Sequence, residues 1–254
     1  MSRLALVTGS TSGLGLEIAK ILAKDGFRLI INGFDTPEII AKALTEIESL
    51  GSPTPLFVGT DLRNVVAIEN VLAEIISTYG SISVLINHAD IQYRELIDEF
   101  SVDQWDQIIA LHLNASFHTT RLCLPRMRDK NFGRIINIAS LQGLNAAKKN
   151  SAYVAAKHGL IGLSKVTALE TADSNITCNV ICPSYTHADL IEVQIERRAQ
   201  QMNINDFDGW NDLLMDHSSA PSFVTTNQLG ALISFLCSEK SSEITGVSFP
   251  IGSD

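Results

Sequence analysis

No apolar run in this sequence comes near the roughly 18 residues that a membrane-spanning helix needs. Positive charge is scarce: 19 lysines and arginines face 28 aspartates and glutamates, a net charge of −9. That balance argues against non-specific contact with nucleic acid or with an anionic membrane surface. It also removes long-range attraction for an anionic small molecule, so any anion must be held by local donors. Cysteine is sparse, at 4 residues with no C-x-x-C pair, which excludes a disulfide framework. Cys123, Cys178, Cys182 and Cys237 are therefore expected to pack in the core. Cys178 and Cys182, evenly spaced in "ITCNVICP", belong on one face of a strand. No group of His, Cys and carboxylates has metal-ligand spacing, so no catalytic metal is expected. The opening "MSRLALVTGS" is apolar over about five positions and lacks a small-residue cleavage site, so it reads as a strand and not a signal peptide. A cytoplasmic location is expected.

What is present is an alternation. The 254 residues are 45% hydrophobic and 19% charged, enough for one large α/β domain spanning the whole chain. Short apolar runs ("LALVTG", "RLIING", "PLFVGTDL", "ISVLINHAD", "GRIINIAS", "NITCNVICP", "GVSFPI") alternate with stretches of helical period. Near-continuous apolar strands between helices indicate a parallel sheet covered on both faces. With right-handed crossovers this gives a doubly wound, Rossmann-type sheet of about seven strands. A long helix is expected around residues 103–128. Residues 185–222 break the alternation and read as an inserted helical flap over a substrate.

Three glycines punctuate "TGSTSGLG", at Gly9, Gly13 and Gly15, between the first strand and the first helix. Such a turn lets backbone amides approach a pyrophosphate, and the helix N-terminus adds partial positive charge. No Gly-Lys-Ser/Thr follows, so this is not a Walker loop. The loop offers Ser10, Thr11 and Ser12; the end of the second strand offers Gly33, Phe34 and Asp35. No cation stands there for a 2′-phosphate, and Asp35 would repel one, so NAD is expected over NADP. Asp61, after the third strand, reads either as a helix cap or as a contact for the adenine amino group.

"SAYVAAKHG" places Tyr153 and Lys157 one helical turn apart on the same face. Taken alone, the pair is a snorkelling lysine beside a half-buried tyrosine. The wider spacing reads differently. The "TGSTSGLG" turn, "NHA" after the fourth strand, Asn114 in the long helix, Ser140 after the fifth strand and Tyr153-x-x-x-Lys157 together resemble the short-chain dehydrogenase/reductase family. Segments such as "GRIINIAS" and "AYVAAKHGLIGLSKV" are more narrowly similar to its bacterial D-3-hydroxybutyrate dehydrogenase branch, whose reaction belongs to ketone-body metabolism.

The resemblance implies a catalytic set of Asn114, Ser140, Tyr153 and Lys157. A free tyrosine ionises near pH 10, and a neighbouring ammonium favours its phenolate. Tyr153 would then take the alcohol proton while hydride passes to NAD. Ser140 would hydrogen-bond the substrate oxygen, Lys157 would also bind the nicotinamide ribose, and Asn114 would hold a water of the proton relay. Cofactor contacts are implied at Gly9, Thr11, Ser12, Gly13, Leu14, Gly15, Phe34, Asp61, Leu62, Asn87, Ala89, Tyr153, Lys157 and Pro183. Substrate contacts are implied at Gln92, Ser140, Gln142, Asn150, Tyr185 and Gln194. The family also implies a homotetramer, consistent with long helices around 103–128 and 152–172 that are apolar on more than one face.

The sequence departs from the pattern at several points. "NHAD" stands where the family has "NNAG", which puts Asp90 in place of a glycine. Ser184 follows Pro183 where a glycine is usual, Ala188 replaces a threonine, and the usual "DGG" near the C-terminus is missing. In the substrate pocket, Gln142 and Asn150 replace a histidine and a lysine of the hydroxybutyrate branch, although Lys149 is adjacent. Two alternatives to a hydroxybutyrate enzyme therefore stand: a dehydrogenase for a neutral secondary alcohol, and a non-catalytic NAD-binding protein.

Overall fold

The computed structural model describes residues 2–184 and 224–252. Strand β1 (Leu4–Val7) leads into α1 (Gly13–Lys24), β2 (Arg28–Asn32) into α2 (Pro37–Ser49), and β3 (Leu56–Val58) into α3 (Val65–Tyr79). Strand β4 (Ile82–Asn87) is followed by α4 (Val102–Ile109), a π-helical turn (Ala110–Asn114) and α5 (Ala115–Lys130). Next come β5 (Gly133–Ile138), a 3₁₀ turn (Leu141–Gly143), α6 (Ser151–Glu170) and β6 (Ile176–Pro183). Helix α7 (Thr226–Cys237) and β7 (Ser248–Ile251) close the described chain. The expected flap at 185–222, with Tyr185, Ala188 and Gln194, lies outside the described residues.

All seven strands are parallel, in the order β3-β2-β1-β4-β5-β6-β7. The doubly wound sheet read from the sequence is the one observed. Strand order reverses between β1 and β4, so the loops leaving their carboxyl ends diverge and open a crevice. The double coverage explains the continuous apolar strands. Ala5 and Val7 pack with Ile18, Leu22, Ile47 and Ile233 of α1, α2 and α7 on one face. Leu4 and Leu6 pack with Ile68, Leu72, Cys123 and Met127 of α3 and α5 on the other. Successive side chains of one strand thus feed two separate cores. All four cysteines are buried and free, as expected. Cys178 packs with the α5 core and Cys182 with Leu160 and Ile161 of α6, so both point to the same side of the sheet.

Local chemistry sets the helix starts. Thr36 caps α2 through Ile39 N, with Pro37 at the first helical position. Asn64 caps α3 by accepting from Ala67 N at 3.1 Å, which leaves Asp61 without the capping role. The long helix expected around 103–128 is present and carries a π turn at Ala110–Asn114, which inserts a wider ring and shifts the register of side chains that follow. No helix among the described residues is long and apolar enough to cross a membrane.

Candidate active site

The crevice between β1 and β4 is lined first by the glycine turn. Gly9 and Gly13 have φ of 63° and 54°, in the left-handed region where glycine is unstrained. A Cβ on Gly15 would stand 2.0 Å from the carbonyl oxygen of Gly9, so only glycine lets α1 start this close to the turn. A Cβ on Gly13, by contrast, would meet nothing within 4 Å among the described residues, so the turn is open on that side. Ser12 precedes α1 without a side-chain cap, so the first-turn amides of Gly13, Leu14 and Gly15 keep their donors. Open space above uncapped helix amides fits a pyrophosphate.

The turn is fastened from beneath. Thr8 Oγ1 accepts from His88 N at 2.9 Å and from Ala89 N at 3.0 Å, tying the β1 and β4 loops together. Asn87 accepts from Thr119 at 2.8 Å and donates to Asn137 at 2.7 Å, which in turn donates to Ser164 at 2.7 Å. This buried chain links β4, β5, α5 and α6. Leaving one such buried group unpaired costs about 1–3 kcal/mol. Asn87 therefore sits in an internal network rather than facing the crevice with a free side chain.

At the end of β2, Thr11 Oγ1 donates to Asp35 Oδ2 at 2.6 Å. Phe34 beside it is 69% exposed. Asp61 is engaged by Arg63, which reaches it from Nε at 3.0 Å and Nη2 at 2.9 Å. The Arg63 guanidinium holds the Asp61 carboxyl below its usual range. Leu62 is buried in the α3/α5 core, and Pro183 ends β6 beside Ile251.

Ser140 closes β5 and accepts from Gln142 N at 3.2 Å, which starts the 3₁₀ turn. Tyr153 and Lys157 rise from the first turns of α6 and are both buried. The Lys157 ammonium lies 5.2 Å from the centroid of the Tyr153 ring and donates to Ile138 O at 3.0 Å. Burial pushes its pKa down, and the carboxylate of Asp90, 3.4 Å away, opposes that shift. Phenol and ammonium thus stand together on α6, with the ammonium anchored at the carboxyl end of β5 through Ile138 O.

Comparison with known proteins bears directly on this arrangement. The family model described as short chain dehydrogenase matches residues 3–199. The chain belongs to the short-chain dehydrogenase family. It is 45% identical over 243 residues to D-beta-hydroxybutyrate dehydrogenase of Cupriavidus necator, covering 95% of this chain and 93% of the relative. Identity to D-beta-hydroxybutyrate dehydrogenase of Rhizobium meliloti is 42% over 246 residues, covering 97% and 95%. Among solved structures, L-sorbose reductase from Gluconobacter frateurii, in complex with NADPH and L-sorbose, superimposes with a TM-score of 0.92. It covers 99% of this chain and 95% of that one at 23% identity, a likeness of fold.

Asn114, the last residue of the π turn, is exposed. The residue that faces the site is His112, which the sequence reading missed. Its ring meets that of Tyr153 edge-on, with centroids 5.2 Å apart and planes at 74°. Its Nε2 lies 2.9 Å from Ile91 O and 3.1 Å from Ile91 N. Its Nδ1 lies 3.2 Å from Asp90 Oδ1 without forming an aligned hydrogen bond. Burial, with Lys157 adding to it, pushes the His112 pKa down to about 4, so the ring is neutral at physiological pH. The signal was present: Ile108, His112, Ser116, Cys123 and Met127 all lie on the buried face of this helix, and Asn114 does not.

The substrate candidates divide. Asn150 is buried beside Gln142 and donates to it at 3.0 Å. Gln92 is exposed on the loop after β4; Lys149, just before α6, is also exposed and adopts φ of 65°. Among the described residues no group of three or more His, Cys, Asp or Glu is placed to hold a metal.

Proposed function

We propose that the protein oxidises D-3-hydroxybutyrate, or a close short-chain 3-hydroxy acid, to the 3-keto acid with NAD, using Tyr153 as general base. The observation that carries the reaction type is the buried Lys157 ammonium one turn from the buried Tyr153 ring. The substrate class is supported by identities of 45% and 42%, over nearly the whole chain, to two D-beta-hydroxybutyrate dehydrogenases.

The cofactor would lie with its pyrophosphate over the amides of Gly13, Leu14 and Gly15, its adenosine ribose against Asp35, and Phe34 and Asp61 beside the adenine. When bound, it supplies the acceptor for the hydride that leaves the carbinol carbon. The protein supplies the rest. Ser140 orients the substrate oxygen, and Tyr153 as phenolate takes the hydroxyl proton. Lys157 stabilises that phenolate through its charge. Ala89, held by Thr8 and close to Gly9, would line the crevice at the nicotinamide end. The products are acetoacetate, reduced cofactor and one proton. The active form is a homotetramer, built on the apolar outer faces of α5 and α6.

The pairing of Asn150 with Gln142 favours a second reading, a neutral secondary alcohol as substrate, because neither side chain carries charge. Replacing Tyr153 by Phe tests the first part of the proposal. Turnover should fall by about 10²–10⁴, since the hydroxyl carries the proton transfer. NADH binding, read by fluorescence, should persist because the ring volume is kept. Turnover within a few-fold of the natural protein would refute the assignment.

A further inference from the structure

Asp90 stands where the family pattern has glycine, and His112 lies edge-on against the Tyr153 ring. In the fold these two residues meet. Asp90 Oδ1 lies 3.4 Å from Lys157 Nζ and 3.2 Å from His112 Nδ1. The Lys157 side chain is 4% exposed, that of His112 0%, and that of Asp90 38%. A half-exposed carboxylate thus bridges a buried lysine and a buried neutral ring, both of which lie against the Tyr153 ring.

The groups around the Lys157 ammonium come from every neighbouring element. Ile138 O at the end of β5 accepts its hydrogen bond at 3.0 Å. His88 follows β4 and is held neutral by burial. His112, in the π turn, is neutral as well. Cys182 in β6 has its thiol pushed up to about 11 by burial, so it too is uncharged near neutral pH. Tyr153 lies one turn back in α6. Asp90 is the one carboxylate ion-paired with Lys157 among the described residues. An ammonium this buried without a counter-ion gives up its proton.

We infer that Asp90 is a positioning residue: its carboxylate is the counter-ion that keeps Lys157 charged, so that Lys157 can hold Tyr153 as a phenolate. The half-exposed position suits that role. A carboxylate that keeps part of its hydration gives up less solvation in forming the pair than a fully buried one. His112 walls the pair off from the helix side and fills the space against the Tyr153 ring without adding a competing charge. The inference rests on the reading of Tyr153 as the base.

The direction of one shift decides it. Removing Asp90 has two opposite effects on Tyr153. Loss of a nearby anion favours the phenolate, while loss of the Lys157 proton disfavours it. The ionisation midpoint of Tyr153 can be read in the substrate-free protein as the difference in phenolate absorbance between each variant and its Tyr153→Phe counterpart. In Asp90→Asn the midpoint should rise by one pH unit or more, a tenfold loss of phenolate at neutral pH (about 1.4 kcal/mol). The acid limb of the pH–turnover profile should move up with it. Asp90→Glu should return both most of the way. In a Lys157→Met background, Asp90→Asn should leave the midpoint in place or lower it. A fall or no change in the single variant, or a rise of the same size in the Lys157→Met background, overturns the inference. Asp90→Gly, which restores the family residue, gives a second reading should the asparagine perturb the loop. Failure of the underlying reading looks different: Tyr153→Phe would then retain turnover, whatever the midpoints do.

Discussion

Asn150 donates its side-chain amide to Gln142 Oε1 at 3.0 Å, and the Asn150 Oδ1 left over is buried with no hydrogen-bond partner among the described residues. This end of the candidate pocket therefore offers neutral amides and an unfilled acceptor where a carboxylate would need cations. Hydrogen bonds to charged groups contribute about 1.5–3 kcal/mol, against roughly 0.5–1.5 for neutral ones. The double change Gln142→His with Asn150→Lys should lower KM for D-3-hydroxybutyrate at least tenfold (about 1.4 kcal/mol). The gain should shrink for neutral secondary alcohols, so kinetics on paired acid and neutral substrates check it. Exposed Lys149 should contribute little: Lys149→Ala should change hydroxy-acid turnover by less than about twofold. Crippled turnover in that variant would show that Lys149 reaches the carboxylate instead.

The bond from Thr11 to Asp35 closes the end of β2 with a carboxylate. A 2′-phosphate placed a few ångströms from it would be repelled by about 2–3 kcal/mol, so kcat/KM with NADP should be roughly a hundredfold below that with NAD. Asp35→Ser combined with Phe34→Arg should narrow or reverse that ratio. Equal use of both cofactors by the natural protein would contradict the placement of the ribose at Asp35.

Leu169 and Val166 on α6 are 78% and 52% exposed, and Phe117 on α5 is 47% exposed. Apolar side chains on two adjacent long helices need cover, and burying a leucine contributes about 1.5–3 kcal/mol. Sedimentation at micromolar concentration should report a tetramer. Leu169→Asp should shift it toward smaller species by at least about tenfold in the dissociation constant. A natural protein that sediments as a monomer would remove the tetramer from the proposal.

His112 links the site to acid stability. Its pKa falls from 6.5 unfolded to about 4 folded because burial disfavours the imidazolium. Between those values the unfolded chain binds the extra proton, so stability rises with pH across that window. The contribution is complete above about pH 6.5 and is lost as pH falls toward 4, on the order of 3 kcal/mol in all. Buried His88 shifts in the same direction and adds to the slope. Urea unfolding of the natural protein and His112→Asn at several pH values measures this. The variant should show a shallower loss between pH 6.5 and 4, and parallel curves would count against it.

Much of the fold was legible because its causes are local. Apolar runs of strand length, bounded by Gly9 and Gly13 after β1 and by Pro37 at the start of α2, carry their own geometry. The period-2 alternation that separates Leu4 and Leu6 from Ala5 and Val7 was hidden, because both faces of a parallel sheet are apolar. Tyr153 and Lys157 were readable as a pair because a helix puts positions four apart on one face. His112 was missed because its contact with Tyr153, made from within a π turn, leaves no mark in composition.

The sequence by itself determined the alternating architecture, the glycine turn and the four-residue spacing of phenol and ammonium, since each follows from backbone geometry over a few residues. Tertiary structure alone decided that Asp90, His112 and Lys157 share one cluster. These residues lie on a loop after β4, a turn before α5 and the start of α6, and only the packing of those elements brings them within 3.4 Å. It also decided that Asn150 answers Gln142 instead of solvent. Electrostatic partnership across the fold depends on distance and burial, and neither is written in the order of the residues.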